Sequence, residues 1–163
     1  MRFLVNESGA VVANSTSIAV MESSDVKQLS RLAGLGRQHA IKIGDTGAAV
    51  HVVTSKNRAR PGTIKPNTMC VATANGQVVP PFKCDADIQV GLSDGTNETR
   101  VLRDALIMET CAHELISLGK LAKDEGIGTV ISPWGQASYL TLDGGAKRAP
   151  LLNIGVIVVP HVD

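Results

Sequence analysis

The triplet Asp45-Thr46-Gly47 sits between the apolar residues Ile41, Ile43, Ala48, Val50, Val52 and Val53. A carboxylate in such a run is costly to bury without a partner, so its presence demands a reason. Two are open. Asp and Gly both favour turns, and a surface turn here would join the flanking runs into a simple hairpin. A carboxylate carried from a strand end into a cleft would instead be a group for acid–base chemistry. The local pattern does not choose between them.

Other reactive residues form weaker constellations. Cys111, His113 and Glu114 suggest a thiol hydrolase, but residues two apart on a helix do not face each other. The same stretch, HELIS, lacks the second histidine of a zinc peptidase motif. His51, in an apolar strand, reads as a hydrogen-bonded core histidine rather than a base. Lys56, Arg58 and Arg60 beside Pro61-Gly62 read as a solvated loop, since no aromatic platform accompanies them to make a phosphate or nucleic-acid site. The glycines of GLGRQHA (34–40) do not follow a strand of a βαβ unit, which argues against a dinucleotide site. No metal and no cofactor are expected.

The elements that must hold Asp45 are mostly strands. Turn signals at Pro61-Gly62, Asn75-Gly76, Ser93-Asp94-Gly95 and Asp143-Gly144-Gly145 divide apolar runs into strands at about 39–44, 48–54, 68–74, 77–83, 86–92 and 99–108. A helix is expected over CAHELISLGKLAKDEG (111–126). Ala112, Leu115, Ile116, Leu118, Leu121 and Ala122 fall mostly on one face, and Gly126 supplies the stop. Strands follow at about 127–132, 137–142 and 150–159. The first 37 residues offer short strands at 3–5, 11–13 and 17–21 and a short helix carrying Val26, Leu29 and Leu32. The count is that of a mainly-β barrel or sandwich.

Composition sets the bounds. The 163 residues fit one domain with a full core. Aromatics are 2% of the chain, so the core must be built from Val, Ile, Leu and Ala. A net charge of +1 gives no field to draw nucleic acid or an anionic membrane, and neither partner is expected. No run reaches the length of a membrane span, and Asn6 and Glu7 interrupt what could have been a signal peptide. Cys70, Cys84 and Cys111 are odd in number and share no C-x-x-C spacing. That fits a reducing compartment, hence the cytoplasm. The glycosylation-type triplets at Asn6, Asn14 and Asn97 carry no meaning there.

In order along the chain stand Asp45-Thr46-Gly47-Ala48, the glycine-tipped VATANGQVV (71–79), VLRDALIM (101–108) and HELISLGKL (113–121). This succession resembles the retropepsin-like aspartic proteases. It is most similar to the protease segment of copia-type retrotransposon polyproteins, which place a histidine four residues after the triplet's glycine, as His51 stands here. The likeness runs from about residue 38 to 160. It implies an N-terminal extension over 1–37 and a protease domain over 38–163. Gly44 stands where that family carries a bulky apolar residue, and LIMETCAH lacks a glycine that it carries.

The resemblance implies a closed β-barrel lobe with a flap hairpin and one short helix in the C-terminal half, active as a homodimer. The chemistry needs two carboxylates sharing one proton, one activating a water and the other protonating the scissile carbonyl. The chain has a single Asp-(Ser/Thr)-Gly, so the second aspartate must come from a second copy across a two-fold axis. Asp45 is then catalytic. Thr46 donates across the axis, and Gly47 permits close approach of the backbone. Ala74, Asn75, Gly76 and Gln77 form the flap over an extended polypeptide, expected to be the element's own polyprotein. A dimerisation or peptide-binding module without catalysis is the alternative class.

Overall fold

A computed structural model describes residues 42–73, 76–111, 113–133, 137–153 and 157–159. The strands and helix expected before residue 38, and the domain boundary there, lie outside the described residues. Among the described residues, twelve strands and one α-helix follow in chain order: β1 (Lys42–Asp45), β2 (Val52–Val53), β3 (Lys65–Pro66), β4 (Val71–Thr73), β5 (Gly76–Val78), β6 (Phe82–Gly91), β7 (Asn97–Ile107), β8 (Glu114–Ser117), α1 (Leu118–Glu125), β9 (Gly128–Val130), β10 (Ser138–Leu142), β11 (Lys147–Asn153) and β12 (Ile157–Val159). The fold is mainly β, as its composition implies.

Strand β6 shows why these residues make sheet. Cys84, Ala86, Ile88 and Val90 are buried, while Lys83, Asp85, Asp87 and Gln89 between them are half-buried. Alternation at period two puts one set on the core face. The turn into β7 is closed by Asp94, whose Oδ1 accepts from the Thr96 N–H at 2.8 Å, and by Gly95 at φ +86°. The core beneath gathers Leu102, Ala105, Ile116, Leu118, Leu121, Ile127, Leu140 and Leu142. It is aliphatic. Phe82 packs only at its margin.

Ten strands form one sheet in the order β3-β6-β7-β2-β8-β1-β12-β11-β10-β9, and β4 and β5 form a separate hairpin. Among the described residues no ladder joins β3 to β9, so the closed barrel implied by the resemblance is not found. The centre of the sheet decides where Asp45 goes. β1 runs parallel to β8, with Asp45 opposite Ser117 and Lys42 opposite Glu114. β8 in turn pairs antiparallel with β2 at Val52↔Leu115. Strands β1 and β2, though consecutive in the chain, are therefore held apart by β8. With neighbouring strands about 4.8 Å apart, their connection spans about 10 Å rather than closing a hairpin.

Three expectations need correction. The helix expected over 111–126 begins only at Leu118; Glu114–Ser117 is strand β8. All four β8 residues are buried because β8 is flanked by β1 and β2, a tertiary pairing that overrides local helical spacing. Ala122, assigned to the apolar face, is exposed. The strand expected at 48–54 shrinks to Val52–Val53, since residues 46–51 are spent crossing β8. The single strand expected over 150–159 is instead two antiparallel strands, with Leu152 opposite Val158.

Candidate active site

Asp45 is the last residue of β1 and is half-buried. Its Oδ1 accepts from the Gly47 N–H at 2.7 Å, a local bond that fixes the carboxylate against the turn it begins. Thr46 is exposed, Gly47 half-buried and Ala48 buried. Of the two readings of the triplet, the surface hairpin is excluded by the insertion of β8. The carboxylate stands at a strand end, on a loop carried by the middle of the sheet.

That loop is tied down from beneath. The Ser117 hydroxyl donates to the Ala48 carbonyl at 2.5 Å and accepts from the Lys120 N–H at 3.1 Å, the latter bond capping α1. The Ser117 N–H donates to His51 Nδ1 at 3.0 Å. His51 is fully buried, and burial is the main reason its pKa falls from 6.5 to about 4; Lys120 lowers it further and Asp124 opposes. The reading of His51 as a hydrogen-bonded core residue therefore holds. Its Nε2 is buried with no hydrogen-bond partner among the described residues.

The opposite end of the β1–β8 pair carries buried charge. Glu114 is wholly buried, and Arg58 reaches it with Nε on Oε1 and with Nη2 on Oε2 at 3.3 Å. The same Nη2 donates to the Asp87 carbonyl at 2.7 Å. Lys42, register partner of Glu114, is also buried. Burial holds its ammonium below the ordinary lysine range, with Glu114 opposing that shift and Arg58 adding to it. The expectation of a solvated basic loop at 56–60 holds for Lys56 and Arg60, which are exposed, and is corrected at Arg58. Arg58 serves a buried carboxylate, Lys56 lies over the Phe82 ring at 4.6 Å, and Arg60 pairs with Asp87 at 3.2 Å.

Of the flap residues, Gly76 and Gln77 belong to β5, and Ala74 and Asn75 lie outside the described residues. Gly76 has φ +118° and faces Thr73 in the ladder, a conformation open to glycine and strained for other residues. Gln77 is exposed. The base of the hairpin is clasped by buried Asn67, which sequence reasoning passed over. Its Nδ2 donates to the carbonyls of Pro80 (2.8 Å) and Met69 (3.0 Å), and its Oδ1 accepts from the Met69 N–H at 3.0 Å. An Asn ahead of a β-hairpin and a Pro-Pro behind it was the signal available. Met69, Val78 and Val79 beside this clasp are exposed.

The competing constellation fares differently from its sequence argument. Glu114 is in a strand rather than a helix, so the helical-facing objection no longer applies. Cys111 is buried, however, and burial pushes its thiol up, the wrong direction for a nucleophile. Among the described residues no group of three His, Cys, Asp or Glu could hold a metal, and no helix is long and apolar enough to cross a membrane. A cleft of about 250 Å³ lined by Leu92, Ser93, Asp94 and residues 145–148 does not include Asp45. No family model, curated protein or solved structure compared with the chain matches it.

Proposed function

We propose that the chain is a retropepsin-like aspartic endopeptidase that works as a homodimer. Two Asp45 carboxylates, one from each copy, share a proton and activate the water that attacks a peptide bond. The observation that carries this reading is the placement of Asp45: a strand-end carboxylate, pinned by the Gly47 N–H, on a loop that β8 forces out of any hairpin. Two features support it. Thr46 beside it is exposed, as a residue that meets a partner subunit must be. The β4–β5 hairpin is separate from the main sheet, as a flap must be in order to close over substrate and exclude water.

The substrate would be an extended polypeptide, the polyprotein of a copia-type element, with apolar side chains beside the cut. The three cysteines are free, which accords with a cytoplasmic site of action. The test is Asp45→Asn assayed against a polyprotein fragment. The variant should fold and dimerise as the native chain does, and cleavage should vanish. Native activity per chain should fall on dilution through the dimer dissociation constant. Full cleavage by Asp45→Asn, or by a strictly monomeric native chain, refutes the proposal. Peptide binding without cleavage would assign the dimerisation or peptide-binding module instead.

A further inference from the structure

Resting on the protease reading, we infer that His51 is a positioning residue for Asp45, holding the Asp45–Ala48 loop through Ser117 only while its imidazole is neutral. The chain of contacts is short. Asp45 and Ser117 are register partners on adjacent parallel strands. Ser117 holds the far side of the loop through the Ala48 carbonyl at 2.5 Å. Its own N–H, at the end of β8, is taken by His51 Nδ1 at 3.0 Å.

The geometry fixes the tautomer. A ring nitrogen that accepts from an N–H carries no proton, so the neutral ring has its hydrogen on Nε2. Among the described residues that Nε2 is buried without a partner, an unusual arrangement in a folded protein. An asparagine could supply the same acceptor through Oδ1, although its Nδ2 would bring two donors where the ring has one. What histidine adds is titration: a proton on Nδ1 would turn the acceptor into a donor facing the Ser117 N–H, and the clamp would open.

The charges around the ring leave its state to burial. From α1, Lys120 disfavours the charged ring and Asp124 favours it, and these two pair with each other at 2.5 Å. β7 meets His51 at the Leu106 N–H, and its Arg103 and Asp104 are engaged by Glu125 and Lys65. β2 brings no charge, β8 brings Glu114 only at its far end, and the loop brings Asp45 itself. The buried ring therefore stays neutral until the solution is well below the ordinary histidine range, as its value of about 4 requires. Below that, the protonated ring no longer accepts from the Ser117 N–H, and the support of the Asp45 loop is lost.

The test uses the full chain with His51→Asn, which keeps an acceptor near the Nδ1 position and cannot titrate, and His51→Leu, which removes it. His51→Leu should lose about tenfold to hundredfold in kcat, the scale of a small misplacement, with KM within about twofold. His51→Asn should restore most of kcat and carry activity about one pH unit further into acid than the native chain. Independently of catalysis, ring nitrogen NMR should report hydrogen on Nε2 at neutral pH, and the Ser117 amide should shift together with the ring's titration. A ring with hydrogen on Nδ1, a Ser117 amide indifferent to that titration, or native kcat in His51→Leu overturns the inference. Absence of cleavage by the native chain at every pH overturns the protease reading instead, and the two NMR readings still decide the clamp.

Discussion

Removal of Arg58 tests whether the β1–β8 pair is anchored by its buried charges. Glu114 has no exposure, and Arg58 grips both of its oxygens while a third contact goes to the Asp87 carbonyl. In Arg58→Met the stem is roughly replaced, but a buried carboxylate is left with Lys42 as its neighbouring cation, and a carbonyl loses a donor. Breaking a buried ion pair from one side costs about 3–5 kcal/mol. The Arg58 side chain is 31% exposed, and water there screens the pair, so the low end applies: about 3 kcal/mol. Against a total of about 5–15 kcal/mol for a domain, that is a large share.

Urea unfolding is the assay. With a slope of about 1–3 kcal/mol per molar, the midpoint should fall by roughly 1–3 M with the slope unchanged. Arg58→Lys keeps the charge and loses the planar fork, so it should fall between native and Arg58→Met. A loss below about 1 kcal/mol in Arg58→Met would show that Lys42 alone satisfies Glu114, and the anchoring argument would fail.

Two further outcomes follow from single residues. His51 has a folded pKa of about 4 against 6.5 unfolded, so as pH falls below 6.5 the unfolded chain takes up a proton that the folded chain refuses, and stability declines until about pH 4. At about 1.4 kcal/mol per pH unit the decline reaches about 3 kcal/mol; His51→Asn should show a flatter stability–pH curve over that window, and parallel curves would refute the assignment. Gly126 ends α1 at φ +65°, its N–H reaching the Ala122 and Leu121 carbonyls; Gly126→Ala has space for its Cβ but not the conformation, and should cost about 1 kcal/mol in thermal or urea unfolding.

Much of the outer fold was legible because its causes are local. The alternation of Cys84, Ala86, Ile88 and Val90, the Asp94-Gly95 turn and the Gly126 stop each act within a few residues. The centre was not. Glu114-Leu115-Ile116-Ser117 has helical spacing with the residues after it, and only the presence of β1 on one side and β2 on the other makes it a strand. Those neighbours lie more than sixty residues earlier. Arg58 was misread for the same reason: its partner Glu114 is 56 positions away, and a basic residue beside Pro-Gly looks solvated until that carboxylate is found.

The parallel sense of β1 and β8 explains why the candidate site sits where it does. Parallel neighbours leave the sheet at the same end. β1 passes there into the Asp45 loop and β8 into α1, so both departures fall beside one residue, Ser117. A single hydroxyl then serves two structures, donating to the loop at Ala48 and capping the helix at Lys120. At the other end the same two strands bury Lys42 and Glu114 with Arg58, where a shift of register would separate the charges. A one-residue slip of β8 would break that cluster and move Ser117 off Asp45 together. The buried charges and the loop are thus two readouts of one register. The sequence signal for it was the coincidence of an acidic residue and a capping serine three apart in HELIS, at the same spacing as Lys42 and Asp45 in KIGD.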